Sequence, residues 1–325
     1  LARVRDALGR EVEASYGLVQ RGSQRVAVIE MASASGMWRM AGGERDVMAS
    51  DTYGTGQLIR HAIEVSRVDE ILVGLGGSAT NDGGAGMAAA LGVKFFDENG
   101  RVLSPCPREL QHVARVDVSQ RMPLPPIQVA CDVDNPLCGP KGASAVYGPQ
   151  KGASAEQVVL LDACLGRLAE ISGASECALV PGAGAAGGLG FGFMAYADAK
   201  LVSGFSLVAE IADWRNRVAE VDLVITGEGS LDEQSLHGKG PVGMARLCGE
   251  LGVPCVAVAG RCADELELRR VFDDVVDLRS SVASAEESMA RAAELIEQRV
   301  LEKRGDWRKL VEVARGKKQE KREKC

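Results

Sequence analysis

Aromatic residues are scarce, only 4% of 325 positions, and no apolar run approaches the ~20 residues that a membrane helix needs. So few rings, set against 39 Gly and long Ala and Val runs, argue against an all-β sandwich or a coiled coil. Residues 1–20 lack a charged start followed by an apolar stretch, so no secretion signal is expected. The nine Cys include no pair at C-x-x-C spacing, and His61, His112 and His237 stand apart, which excludes a structural zinc site of familiar spacing. Cys131, Cys164, Cys248 and Cys255 sit inside apolar runs as small hydrophobes. Free thiols in that number fit a reducing compartment, the cytoplasm or an organelle matrix.

Charge is unevenly spread. The formal net charge is −7, yet residues 301–325 carry 10 basic and 5 acidic side chains, leaving −12 on the rest. A body so acidic argues against nucleic acid as the main partner. The chain's end, RGKKQEKREKC from Arg315, has almost nothing apolar to bury, and residues 299–325 are expected to form a basic, frayed tail.

The length suits about two domains of ~150 residues. Short apolar runs at 24–32 (QRVAVIEMA), 69–75 (DEILVGL), 221–226 (VDLVIT) and 254–260 (PCVAVAG) read as buried strands. Helices are expected at 83–91, 155–171, 242–251 and 285–300, with Gly252 as the C-cap of the third. Strand, loop, helix and strand over 221–260 form a parallel βαβ crossover, so the fold class is α/β. The chain is expected to open in a charged helical or connecting segment before its first strand.

Four segments carry candidate chemistry. In 71–92, ILVGLGGSATNDGGAGMAAALG, a buried strand runs into a Gly-rich turn and an Ala-rich helix. Gly76 and Gly77 let a ligand approach the backbone, while Ser78, Thr80 and the first N–H groups of the helix offer donors to an anion. Asp82 is out of place at an N-terminus suited to anions unless it caps the turn, binds a metal or moves a proton. In 130–154, ACDVDNPLCGPKGASAVYGPQKGAS, Asp132 and Asp134 follow a strand, and Lys141 and Lys151 each stand beside glycine, where a cation can reach phosphate or carboxylate. An Asx turn at Asp134-Asn135-Pro136 with surface lysines is the plainer reading there.

Residues 182–187, GAGAAG, match G-x-G-x-x-G in form, and a nicotinamide-dependent dehydrogenase rests on that match alone. The fourth segment, 227–241, GEGSLDEQSLHGKGP, places Glu228 and Asp232 in a loop after a strand, with Lys239 between glycines. Two carboxylates and a lysine suit Mg²⁺ and phosphate, because Mg²⁺ takes one or two carboxylates and completes its shell with phosphate oxygen and water. No G-x-x-x-x-G-K-[ST], H-R-D or D-F-G is present, so a phosphotransferase here belongs to neither of those classes.

Taken together, EMASASG at 30–36, DTYGTGQLI at 51–59, GGSATNDGGAG, ACDVDNPLCGPKGASAVYGPQKGA, PGAGAAGGLG, VITGEGSLDEQSLHGKGPVGMA and AVAGR ending at Arg261 resemble the glycerate kinase type 1 family over roughly residues 1–298. The resemblance implies two α/β domains, one Rossmann- or flavodoxin-like and the other inserted into it, with 1–190 mainly the inserted domain and 191–298 the Rossmann-like remainder. It implies ATP-dependent phosphorylation of D-glycerate to 2-phosphoglycerate, with ATP and Mg²⁺ as cofactors and a small organic acid as partner.

By residue type and position, Asp82 or Asp132 takes the hydroxyl proton, and Gly76, Gly77, Ser78 and Thr80 cradle phosphate. Lys141 and Gly184 add substrate or phosphate contacts, Glu228 and Asp232 hold Mg²⁺, and Lys239 offsets phosphate charge. Two departures from the family pattern stand out: its P-D-S-F-K-G-S and D-G-G-E-G motifs are not in this sequence, and position 230 is Ser where the pattern has Arg. A chain without those motifs is expected to be poorly active and marginally stable on its own, and a catalytically impaired relative is the rival reading.

Overall fold

A computed structural model describes residues 1–41, 43–232, 240–263, 266–281 and 284–323. The chain divides into two compact units, Leu1–Val202 and Ser203–Cys325.

The first unit opens with β1 (Ala2–Arg5) and β2 (Glu11–Ala14), an antiparallel hairpin rather than the helical or connecting segment expected. Ala2 and Val4 are buried while Arg3 and Arg5 face out, a period of two that the abundance of charge hid. Asp6 closes the turn: its Oδ1 accepts from Leu8 N and Arg10 N, both at 2.9 Å.

The main sheet has the order β3 (Gly17–Arg21), β4 (Gln24–Glu30), β5 (Glu70–Gly74), β8 (Ile127–Ala130) and β9 (Lys200–Val202), with a small pair β6 (Lys94–Phe96) and β7 (Arg115–Asp117) apart from it. Only β3 runs antiparallel to its neighbour; the other neighbours pair in parallel. Ile71, Leu72 and Val73 are all buried, as a strand covered on both faces requires. The helix Tyr53–Glu64 lies between β4 and β5 in the chain, and Ala155–Ile171 begins at the capping box of Ser154 and Gln157. Because β9 pairs with β8, the first unit ends at Val202.

The second unit holds a parallel sheet of order β10 (Val224–Leu231), β11 (Cys255–Cys262) and β12 (Asp274–Asp277). The helix Gly240–Leu251 connects β10 to β11, and Gly252 follows it at φ +65°, as the sequence indicated. Glu228 belongs to β10 rather than to a loop. Gly227 explains the longer strand, since a Cβ there would collide with the Val258 carbonyl.

The helix expected at 285–300 is two helices, Ala285–Ala290 and Ala292–Glu323, broken at Arg291. The second continues through most of the stretch expected to fray. Trp307 is buried against Val256, Val276, Leu278 and Leu295, with Val300 and Leu310 half-buried beside it. Its Nε1 donates to Asp274 Oδ2 at 2.8 Å, and Lys303 Nζ lies 3.1 Å from the same oxygen. Apolar positions spaced for one helix face outweigh the net charge of the window. Among the described residues no helix is long and apolar enough to cross a membrane.

Candidate active site

Parallel strands deliver their carboxyl ends to one edge of a sheet, and β5 and β8 are neighbours. The turn Leu75–Ser78 leaves β5 beside Cys131–Val133, which leaves β8. Met37 N donates to Gly77 O at 2.9 Å, and Gly36 bridges Ser78, which ties the segment after β4 to the same turn. Gly77 has φ +74°, a conformation that L side chains adopt rarely.

These segments surround a cavity of about 310 Å³. Gly76, Gly77, Ser78 and Asp132 line it with Tyr147 and Lys151, and Leu75, Ala130, Ala185 and Ala186 contribute apolar wall. Five of the residues singled out in the sequence, Gly76, Gly77, Ser78, Asp132 and Lys151, therefore meet there. Ala186, Gly187 and Gly188 are three consecutive left-handed residues at the start of the helix Ala185–Ala197. A Cβ at Gly187 would collide with the Thr80 carbonyl, so this unusual backbone packs directly against the Gly-rich turn.

Asp82 lies elsewhere. It is fully buried: Oδ2 accepts from Thr52 N at 2.8 Å, Thr52 Oγ1 at 2.7 Å and Gly86 N at 2.9 Å, while Oδ1 accepts from Gly84 N at 3.2 Å. Burial pushes its carboxyl upward and the Thr52, Gly86 and Gly84 donors oppose that. Since every partner donates, the ionised form is the one this pocket accepts. Asp82 thus clamps the starts of the helices Tyr53–Glu64 and Ala85–Ala90 together.

Thr80 is also buried. Its carbonyl accepts from Lys151 Nζ at 2.7 Å, and its Oγ1 has no hydrogen-bond partner among the described residues. Gly184 does not line the cavity; its N donates to Asn135 O at 2.9 Å, and a Cβ would collide with the Pro136 carbonyl. Lys141 is exposed, with its carbonyl accepting from Asn135 Nδ2 at 2.8 Å. The two lysines of this segment, alike in sequence, differ in burial.

Lys151 is 2% exposed, and burial lowers its ammonium to about 7 while the nearby Asp82 opposes the shift. Asp51 is a titratable group that the sequence reading left unmarked within DTYGTGQLI. Burial and the Asp82 charge push its carboxyl up to about 7.

GAGAAG follows a short helix, Ser175–Ala178, where a dinucleotide fingerprint needs a strand, so the dehydrogenase reading loses its frame. In the second unit, Asp232 follows the end of β10 and its Oδ2 meets Ser230 Oγ at 3.4 Å. Lys239 and His237 lie outside the described residues. Among the described residues no three His, Cys, Asp or Glu group as a closed metal site. Glu228 lies within β10 and Asp232 just beyond its end, separated by extended chain, so each offers a single carboxylate to an ion that draws its other ligands from phosphate and water, as Mg²⁺ does.

The sequence model of the glycerate kinase family matches residues 1–303. A glycerate kinase of Halalkalibacterium halodurans is 44% identical over 308 residues, 92% of this chain and 80% of that protein. The glycerate 2-kinase of Escherichia coli is 40% identical over 299 residues, 90% of this chain and 78% of the relative. A crystal structure from Salmonella typhimurium LT2 assigned as glycerate kinase 2 matches with a TM-score of 0.73 at 40% identity, covering 85% of this chain and 73% of that one. A family match across nearly the whole chain, and an α/β architecture shared with a solved relative, establish that this chain belongs to the glycerate kinase family.

Proposed function

We propose that this chain transfers the γ-phosphate of ATP to the 2-hydroxyl of D-glycerate, giving 2-phosphoglycerate and ADP. The observation that supports the reading best is the cavity itself: a Gly-rich turn, a carboxylate and a buried lysine converge at the carboxyl ends of two adjacent parallel strands.

Phosphoryl transfer needs the acceptor held in line, charge offset, and a group to take the hydroxyl proton. Asp132 suits the last role because it is exposed at the cavity, whereas Asp82 is enclosed by donors. The 2-hydroxyl oxygen forms the new bond to the γ-phosphorus as its proton passes to the Asp132 carboxylate. The bond between the γ-phosphorus and the β,γ-bridging oxygen breaks, and its electron pair leaves with ADP. Backbone N–H groups of the Gly76–Ser78 turn take charge on the bound anion. Asp232 just past β10, or Glu228 within it, would offer Mg²⁺ a carboxylate, and the ion's positive charge would offset the negative charge of the polyphosphate. In family terms, we take 1–202 as mainly the inserted domain and the sheet of β10, β11 and β12 as part of the Rossmann-like one.

Coupled ADP-release assays with D-glycerate, L-glycerate and tartronate, each with and without Mg²⁺, test this reading. Release that requires both Mg²⁺ and D-glycerate is expected. Release that ignores the acceptor, or preference for tartronate, contradicts it.

A further inference from the structure

Among the groups at the cavity, Lys151 is the one whose burial has no explanation within the fold. An ammonium taken out of water is costly unless it is paired. Its one hydrogen-bond partner among the described residues is the Thr80 carbonyl at 2.7 Å, which uses one of three donors. No ion pair to Lys151 is present among the described residues. The carboxylate whose charge acts on the ammonium is Asp82, and it already accepts four hydrogen bonds, from Thr52 N, Thr52 Oγ1, Gly84 N and Gly86 N. A buried cation that the fold does not neutralise, on the wall of a cavity, is positioned for an anion that arrives with the ligand.

We propose that Lys151 is the residue that recognises the carboxylate of the acceptor acid. The proposal rests on the hydroxy-acid kinase reading above and deepens it by assigning the acceptor's anionic end.

The cavity favours a carboxylate over the nucleotide's phosphates on two counts. Its volume of about 310 Å³ is at the small end of the range of ligand sites, suited to a three-carbon acid. It also contains Asp132, which repels a polyanion but can accept the proton of a neutral hydroxyl. One cation and one carboxylate lining the same cavity match a molecule with a carboxylate at one position and a hydroxyl at the next.

Backbone supports the lysine. It ends the turn Pro149–Lys151, and Gly152 follows at φ +93° beside the Arg45 carbonyl. Through Thr80, the ammonium is joined to the turn that also carries Gly76 and Ser78. Its lowered ammonium, at about 7, means that an arriving carboxylate would also hold the lysine in its charged form.

The test compares wild type, Lys151→Met and Lys151→Gln on D-glycerate and on D-glyceramide, which keeps the 2-hydroxyl and replaces the carboxylate with a neutral amide. Wild type is expected to prefer glycerate by at least 100-fold in kcat/KM. The variants are expected to lose that preference to within about threefold, with KM for ATP unchanged. Titration calorimetry of D-glycerate without nucleotide should show at least tenfold weaker binding to both variants. Lys151→Gln keeps a donor for Thr80 O, so it serves if the methionine variant folds poorly. Equal losses on the two acceptors, or a raised KM for ATP with the glycerate preference intact, overturn the assignment. Wild type that turns over glycerate while both variants bind it unchanged overturns Lys151 alone. Wild type that neither binds nor phosphorylates any hydroxy acid overturns the functional reading and this assignment with it.

Discussion

Replacing Asp82 with Asn keeps the outline of the side chain and removes its charge. With the amide oxygen in the place of Oδ2, the contacts from Thr52 N, Thr52 Oγ1 and Gly86 N survive as neutral hydrogen bonds. The amide nitrogen then faces Gly84 N–H, donor against donor, at a contact now 3.2 Å long. Hydrogen bonds to a charged group contribute about 1.5–3 kcal/mol and neutral ones about 0.5–1.5, so three weakened bonds lose about 3 kcal/mol and the orphaned donor about 1 more. A loss of about 4 kcal/mol is large against total stabilities of about 5–15. At an m-value near ~2 kcal/mol/M, the urea midpoint followed by circular dichroism should fall by about 2 M. Turnover per folded molecule at low temperature should stay within about threefold of wild type. A variant that keeps its midpoint within ~0.5 M and loses ~10²-fold or more in kcat would show that Asp82 takes part in the chemistry.

Asp132→Asn should do the reverse, lowering kcat by about 10²–10⁴ with an unchanged urea midpoint, and turnover within threefold of wild type would remove it as the proton acceptor. Trp307→Ala should cost about 3–5 kcal/mol in the second unit, read as a lower thermal transition, whereas an unchanged melt would mean that the C-terminal helix does not dock through this ring. Stability should also vary with pH in two opposed limbs. Asp51, raised to about 7, binds more protons folded than unfolded between its ordinary value of 3.8 and 7, so its contribution falls with rising pH there. Lys151, lowered from 10.5 to about 7, binds fewer protons folded than unfolded between 7 and 10.5, so its contribution rises with pH across that window. Thermal melts from pH 4 to 10 should lose the acid limb in Asp51→Asn and the alkaline limb in Lys151→Met; variants that track wild type throughout would refute the burial argument. Chelation of divalent ions by EDTA should abolish phosphoryl transfer and leave the melting temperature unchanged, while a melt that shifts with EDTA would point to a structural ion.

What could be seen in the sequence was whatever chain-local physics decides. Continuous apolar runs marked β4, β5 and β11, and the helix expected at 155–171 is Ala155–Ile171. The hairpin of β1 and β2 escaped because Arg and Glu alternate with Val and Ala, and charge content was weighed before period. β10 ran past its expected end because Gly227 admits the β11 backbone, a fact about a neighbour some thirty residues away in sequence. The same limit divides the site. Gly76, Gly77, Ser78 and Asp132 were recognisable from strand-to-loop position alone. Asp82 could be read as base or cap until Thr52, thirty residues earlier, was seen to enclose it. Lys141 and Lys151 differ in nothing local, since what buries Lys151 is the turn at Thr80, 71 residues earlier.

The measurement that bears most directly on the central claim is proton-coupled phosphorus NMR of the product formed from ATP, Mg²⁺ and D-glycerate. Phosphate on the 2-oxygen neighbours a single methine proton and should appear as a doublet. A triplet, from phosphate beside the two methylene protons of the 3-carbon, would contradict the assignment of the acceptor hydroxyl, and no new phosphate ester signal would contradict the kinase reading itself.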